Sequence, residues 1–185
     1  MYTDPIDEKE PEKKEAEPVP ELIMGKGLVP AETLAEFLLV SNEKADEDFV
    51  ISLAEYYVKE AAAEGINHDV AFAQMCLETG YLRFGGLVQP EWNNFCGLGA
   101  ISAEQPGLQF PDAQTGVRAH IQHLKAYASE EPLKQDLVDP RYRYVRLGSS
   151  PEISGLAGTW ASDRQYAEKI RGLLEKLYQF SAEKL

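Results

Sequence analysis

The stretch "AFAQMCLETGYLRFGG", Ala71 to Gly86, decides how this chain is read. From Asp69 to Thr79 seven positions are apolar (Val70, Ala71, Phe72, Ala73, Met75, Cys76 and Leu77), and only Gln74 and Glu78 interrupt them. Asn67 can cap a helix here and Gly80 can end it. A surface helix normally shows a broad polar face. This one has only the narrow stripe made by Gln74 and Glu78 at i, i+4, so it is expected to be packed on most sides and open along one seam. Glu78 stands at the C-terminal end, where the helix dipole disfavours a negative charge. Apolar neighbours act in the same direction. Both favour a protonated carboxyl near neutral pH, the state a general acid needs. The plain alternative is an exposed glutamate making a turn contact.

Working outward, helices dominate from Leu22 on. Pro30 can start one over "AETLAEFLLV", and Asp46 or Asp48 can open a second that ends at Gly65. "FPDAQTG" leads into a helix over "VRAHIQHLKAYA". "SSPEISGLAG" reads as a short helix, and "SDRQYAEKIRGLLEKLYQF" as a long one with a capping box from Ser162 to Gln165. Between Cys96 and Gly116 the pattern changes to Gly, Pro and short alternations, which suggests a loop or a small β-hairpin. Just before it, "PEWNNFCGLGA" supplies amide groups on Asn93 and Asn94 and flat apolar faces on Trp92 and Phe95. Gly97 and Gly99 would let backbone come close to a ligand. Aromatic faces beside amide hydrogen-bonding groups suit a sugar-binding cleft.

Composition narrows the partners. The chain has 185 residues, 44% of them hydrophobic, which suits one globular domain. The net charge is −13 and no Lys/Arg cluster is present, so nucleic acid and anionic membrane surfaces are not expected partners. No apolar run is long enough to span a bilayer, and no signal pattern follows Met1. Residues 1–21 hold eight acids and three lysines and read as a disordered acidic tether, leaving 22–185 as the folded domain. Cys76 and Cys96 are too few for a disulfide scaffold or a zinc site. They could form one bridge, although two buried free thiols is the plainer reading. His120 and His123, at i, i+3, are a possible metal pair, but with no third ligand nearby they read as a surface and a core histidine. His68, after the cap, is expected to help start its helix. No metal and no cofactor are expected. "DPRYRYVRLG" could touch an acidic group on a glycan, with a packed connector as the safer reading.

Four blocks, "AFAQMCLETGYLRFGG", "NNFCGLGA", "FPDAQTGVRAHIQHLKAYA" and "LAGTWASDRQYAEKI", resemble in order and spacing the blocks of glycoside hydrolase family 73, the glucosaminidase domains of bacterial cell-wall hydrolases. The resemblance covers roughly residues 48 to 180. It implies a mainly α, lysozyme-like domain with a small, short β-lobe or hairpin beside a substrate cleft. It also implies cleavage of the β-1,4 bond between N-acetylglucosamine and N-acetylmuramic acid in peptidoglycan. Glu78 matches the family's catalytic acid, Tyr166 its tyrosine near the C-terminal helix, and Trp160 with Ala161 its Trp-Ala pair. Asn93, Asn94, Phe95, Trp160 and Gln74 are then expected to bind the glycan. The protein would be an exported monomer acting on peptidoglycan strands, with its signal or anchor absent from this chain.

One departure stands out. Family members often carry a second acid on a longer β-lobe, and this lobe is short. Asp112 in "FPDAQTG" is the first candidate for a second carboxylate, with Glu104 and Glu91 behind it, although Asp112 equally suits a helix cap. If no second carboxylate reaches the bond, the substrate's 2-acetamido group could act in its place. Two other functions fit the same residues. One is a lytic transglycosylase, and the other is a non-catalytic glycan-binding or scaffolding domain.

Overall fold

The structure is a computed structural model, and residues 14–184 are described. Most of the expected acidic tether, residues 1–13, lies outside them, as does Leu185. Five helices carry the fold: α1 (Ala31–Ser41), α2 (Glu47–Glu64), α3 (His68–Thr79), α4 (Ala113–Ala128) and α5 (Tyr166–Glu183). Three short 3-10 turns, Pro90–Trp92, Tyr142–Tyr144 and Ile153–Leu156, punctuate the connections. The domain is mainly α and lysozyme-like, as expected.

The helix ends follow local chemistry. Asp46 caps α2 by accepting from the Phe49 amide at 2.8 Å, and Gly65 ends it at φ 75°. Asn67 caps α3 by accepting from the Asp69 and Val70 amides at 2.9 and 3.4 Å. Two expectations need correction. The capping box at Ser162–Gln165 does not form, and α5 begins only at Tyr166, with Gln165 at its N-cap making no side-chain bond. Asp163 instead takes the Gln165 amide at 2.9 Å and ion-pairs with Lys169. "SSPEISGLAG" forms a single 3-10 turn, too short for an α-helix. The small lobe after Cys96 has no strand ladder. One antiparallel bridge, Ser102 to Gln105, closes its tip.

Helix α3 is the centre of the molecule. Ten of its twelve residues are buried, with α2 and α5 packed against it and α4 behind. Its first turn holds Asp69, fully buried, whose carboxylate accepts from the Leu28 and Val29 amides at 2.7 and 3.2 Å and from the Tyr178 hydroxyl at 3.0 Å. One side chain thus ties the N-terminal segment and α5 to α3. His68 does more than start the helix. It is bonded to the Val29 carbonyl at 2.8 Å and packed so closely on Gly27 that a Cβ there would fall 2.5 Å from the ring. Nearby, Glu21 pairs with Arg171 of α5 at 2.6 Å.

The long connection after α4 is organised from inside. Lys125 and Glu64 form a fully buried ion pair at 2.8 Å. Glu64 also accepts from the Lys134 and Gln135 amides, and Lys125 donates to the Pro132 carbonyl at 3.0 Å. Next to it, Arg118 holds the buried Glu60 carboxylate with two bonds, at 2.9 and 3.2 Å. A buried charge of this kind is costly once its partner is gone. Lys125→Met is therefore expected to lower stability by about 3 kcal/mol, read as a lower urea midpoint with an unchanged slope. A second change tests the lobe's seat. Gly116 on α4 lets the Asn93 carbonyl approach so closely that a Cβ would lie 1.8 Å from its oxygen. Gly116→Ala must push that segment away, with a loss of about 1–3 kcal/mol in the same measurement.

Candidate active site

After Thr79 the chain turns sharply. Gly80 ends α3 in the left-handed region, and Tyr81 and Leu82 stay there at φ 56° and 62°, followed by Phe84 at 56°. Such values are uncommon for residues with side chains and persist only where contacts hold them. The contacts are present. The Thr79 hydroxyl accepts from the Leu82 amide at 2.9 Å, its carbonyl accepts from the Phe84 amide at 2.7 Å, and Asn42 donates to the Tyr81 carbonyl at 2.8 Å. The turn carries Phe84 to Val88 back alongside the end of α3, so they become one wall of a cleft with Glu78 on its floor.

The other wall comes from the lobe and the C-terminal connection. Two cavities of about 210 Å³ each flank the floor. The first is lined by Glu78, Phe84, Leu87, Val88 and Asn94 among others. The second is lined by Trp160, Tyr127, His123, Arg141 and Cys96 among others. They share Gly97 and Ala100, so they are two ends of one cleft. Gly97 has φ 70°, and a Cβ there would lie 3.8 Å from Oε2 of Glu78. Among the described residues lining the two cavities, Glu78 is the only carboxylate.

Glu78 is open to the cleft on one side and crowded by protein on the others. This crowding pushes its pKa above the usual carboxylate value, against an opposing pull from the Tyr166 hydroxyl and the Trp160 indole. Tyr166, the first residue of α5, donates a hydrogen bond to Oε1 of Glu78. Burial and the adjacent carboxylate push the phenol far above its ordinary range, so it stays protonated. Trp160 sits in a tight loop in which its amide bonds to the Leu156 carbonyl at 3.0 Å. Its ring stands against His123 at 5.0 Å and Tyr127 at 5.6 Å, an aromatic wall for the second cavity.

The structure brings Glu78, Tyr166 and Trp160 together and puts other expected site residues elsewhere. Gln74 is fully buried behind Tyr166, donating to its hydroxyl at 3.0 Å, so it presents no surface to a glycan. Phe95 is 1% exposed and belongs to the core. Asn94 borders the cleft, but its amide is engaged with the Leu98 and Leu108 carbonyls and the Leu98 amide, at 2.9 to 3.0 Å, and so braces the lobe. Asn93 donates to the Phe110 carbonyl at 3.1 Å. Asp112 is the N-cap of α4, accepting from the Thr115 amide at 2.8 Å, and lines neither cavity. Glu104 is exposed at the lobe's tip, bonded to Ser102, and Glu91 is exposed in its 3-10 turn. Cys76 and Cys96 are buried free thiols, their pKa values raised by burial. Neither His120 nor His123 is a surface histidine. His120 is fully buried, and His123 is 8% exposed and paired with Asp139 at 2.7 Å. No group of three possible metal ligands occurs among the described residues. Arg141 and Tyr127, which sequence reasoning did not select, reach the cleft. Only "DPRYRYVRLG", with its concentration of arginine and tyrosine, pointed towards the former.

Known proteins resemble this chain in sequence and in fold. The glucosaminidase family, described as mannosyl-glycoprotein endo-beta-N-acetylglucosaminidase, matches residues 54–179. An uncharacterised protein of Borreliella burgdorferi is 40% identical over 159 residues, covering 86% of this chain and 78% of that protein. Among solved structures, Autolysin E of S. aureus in complex with the muropeptide NAM-L-Ala-D-iGlu superimposes with a TM-score of 0.55 at 14% identity, over 85% of this chain and 70% of the other. A catalytic mutant of the same autolysin, in complex with the disaccharide NAG-NAM, gives a TM-score of 0.53 at 14% identity over the same shares of the two chains. At that identity the likeness concerns the fold. The match over residues 54–179 carries the assignment: the chain belongs to the endo-β-N-acetylglucosaminidase family and is a glycoside hydrolase.

Proposed function

We propose that the protein hydrolyses peptidoglycan at the β-1,4 bond between N-acetylglucosamine and N-acetylmuramic acid, with Glu78 as the general acid. The observation that carries this reading is a single carboxylate on the floor of a two-ended cleft, desolvated and bonded by Tyr166. Protonated Glu78 gives its proton to the leaving O4 of the muramic residue as the bond to C1 of N-acetylglucosamine breaks. The carboxylate left behind is stabilised by the Tyr166 hydroxyl. The opposite face of the sugar needs a second group. Asp112 is occupied as a helix cap, so the substrate's own 2-acetamido oxygen is the better candidate to close on C1 before water opens the ring it forms. The disaccharide in the related autolysin is of the class this reading requires. Peptidoglycan lies outside the cytoplasmic membrane, so the protein is placed in the cell envelope or beyond. No helix among the described residues is long and apolar enough to cross a membrane.

The second cavity suits a substituent with negative charge. Arg141 borders it beside Tyr127 and Trp160, and its guanidinium pairs with no carboxylate among the described residues. It is suited to the lactyl or stem-peptide carboxylate of a muramic residue. Arg141→Gln is expected to raise KM about tenfold with kcat little changed, the effect of losing one charge-assisted contact.

The deciding experiment is digestion of purified peptidoglycan, followed by reduction and mass spectrometry of the new ends. Reduced N-acetylglucosamine ends are expected, and they should vanish with Glu78→Gln. Anhydromuramic ends would replace this reading with a transglycosylase, and no new ends would replace it with a binding module. The pH dependence follows from the partial desolvation of the Glu78 carboxyl by the protein that crowds it. Turnover requires the protonated acid, so the rate falls as pH rises through a pKa above the ordinary glutamate value. Stability runs the other way. A raised folded pKa means that ionisation at neutral pH costs more in the folded state than in the unfolded chain. Glu78→Gln should therefore keep or raise the thermal midpoint at pH 7 while abolishing turnover, and the gain should fade below the ordinary glutamate pKa.

A further inference from the structure

Behind Tyr166 lies a line of buried polar side chains from three helices. Tyr57 of α2 meets Nδ1 of His120 on α4 at 2.7 Å. Nε2 of His120 meets Oε1 of Gln74 on α3 at 2.8 Å, and Nε2 of Gln74 meets the Tyr166 hydroxyl at 3.0 Å. Tyr57, His120 and Gln74 are all fully buried. The line ends at Oε1 of Glu78.

The direction of this line is forced from its buried end. Among the described residues the Tyr57 hydroxyl has one partner, Nδ1 of His120. A buried O–H left without an acceptor costs free energy, so Tyr57 donates and Nδ1 accepts. The imidazole must then be neutral, with its proton on Nε2. That proton requires an acceptor, which fixes the Gln74 amide with its oxygen towards His120 and its nitrogen towards Tyr166. The Tyr166 oxygen receives the amide proton, leaving its own proton for Glu78. Burial agrees with the neutral ring, holding the His120 pKa down to about 3, with the neighbouring His123 acting in the same sense.

We propose that Tyr57, His120 and Gln74 are positioning residues that make Tyr166 a permanent donor to Oε1 of Glu78 and thereby confine the transferable proton to Oε2. Oε2 is the oxygen beside Gly97, where the two ends of the cleft meet. The acid is thus held with its proton towards the glycosidic oxygen in every turnover, and Oε1 cannot carry it. This inference rests on Glu78 being the general acid. The groups facing Glu78 are few: Tyr166 from α5, the Trp160 indole from the preceding loop and the Cys96 thiol from the lobe. Around His120 stand Tyr57, Gln74, Trp160 and His123, the last bonded to Asp139.

The test is Tyr57→Phe, which removes only the first donor. In the wild-type protein, proton–nitrogen NMR of the His120 ring should show the Nε2-protonated tautomer with no titration between about pH 5 and 8. In Tyr57→Phe, Nδ1 loses its donor and the ring is free to invert its tautomer, which loosens the hold of Tyr166 on Glu78. A carbon-detected titration of the Glu78 carboxyl should then move upward, because a donor to the carboxylate has been weakened. The basic limb of the pH–rate profile should move with it, with kcat about tenfold lower and KM within about twofold of wild type. An Nδ1-protonated His120 in the wild type overturns the proposal, even if the variant fails to fold. So does an unmoved Glu78 titration in a folded variant. A wild type that releases no glycan ends removes the proposed function instead, and the two NMR readings still judge the line on its own.

Discussion

The burial of α3 is the constraint on which the rest of this structure depends. A helix enclosed on nearly every side cannot leave a polar side chain unmet, because water is not available to replace a missing partner. Each of its polar groups therefore dictates a contact. Asp69 recruits the Leu28 and Val29 amides and Tyr178, which fixes the N-terminal segment and α5. Gln74 recruits His120 and Tyr166, which fixes α4 and the start of α5. Glu78, at the one open end, finds Tyr166 and the cleft. The site is the place where this run of satisfied buried polar groups reaches solvent.

The same constraint gives Glu78 its chemistry. A carboxyl surrounded by apolar and aromatic groups holds its proton more tightly than one in water. The Tyr166 hydroxyl and the Trp160 indole temper that effect without supplying a charge. The walls are made by different means. One is a strained left-handed turn held down by Thr79 and Asn42, and the other is an aromatic group built on Trp160. Backbone strain of this kind persists because the surrounding bonds over-determine it. The net charge of −13 gives no long-range attraction towards an anionic wall, so recognition must come from contacts within the cleft.

The lobe shows how little secondary structure such a site needs. One bridge closes its tip, and the Asn94 amide holds the rest with three bonds to backbone. Its base rests on α4 through a close approach that only Gly116 allows. Asp112, one turn before that glycine, is the cap of the helix that seats the lobe.

By itself the sequence determined the helical architecture, because caps such as Asp46 and Asn67, the stop at Gly65 and the apolar run around Glu78 are local signals that neighbouring residues create. It singled out Glu78, since a carboxylate at the end of an apolar run is visible without any partner, and the ordered blocks pointed to the family. The role of Gln74 was misread for the same reason. A polar residue in the stripe of Glu78 looks like part of the open seam until α4 and α5 are packed over it. Tertiary structure alone decided that Arg141 reaches the cleft and that Tyr57 and His120 stand in line behind Tyr166. These pairs are separated by tens of residues, and a hydrogen bond between two helices depends on their packing, which no short stretch of either helix encodes.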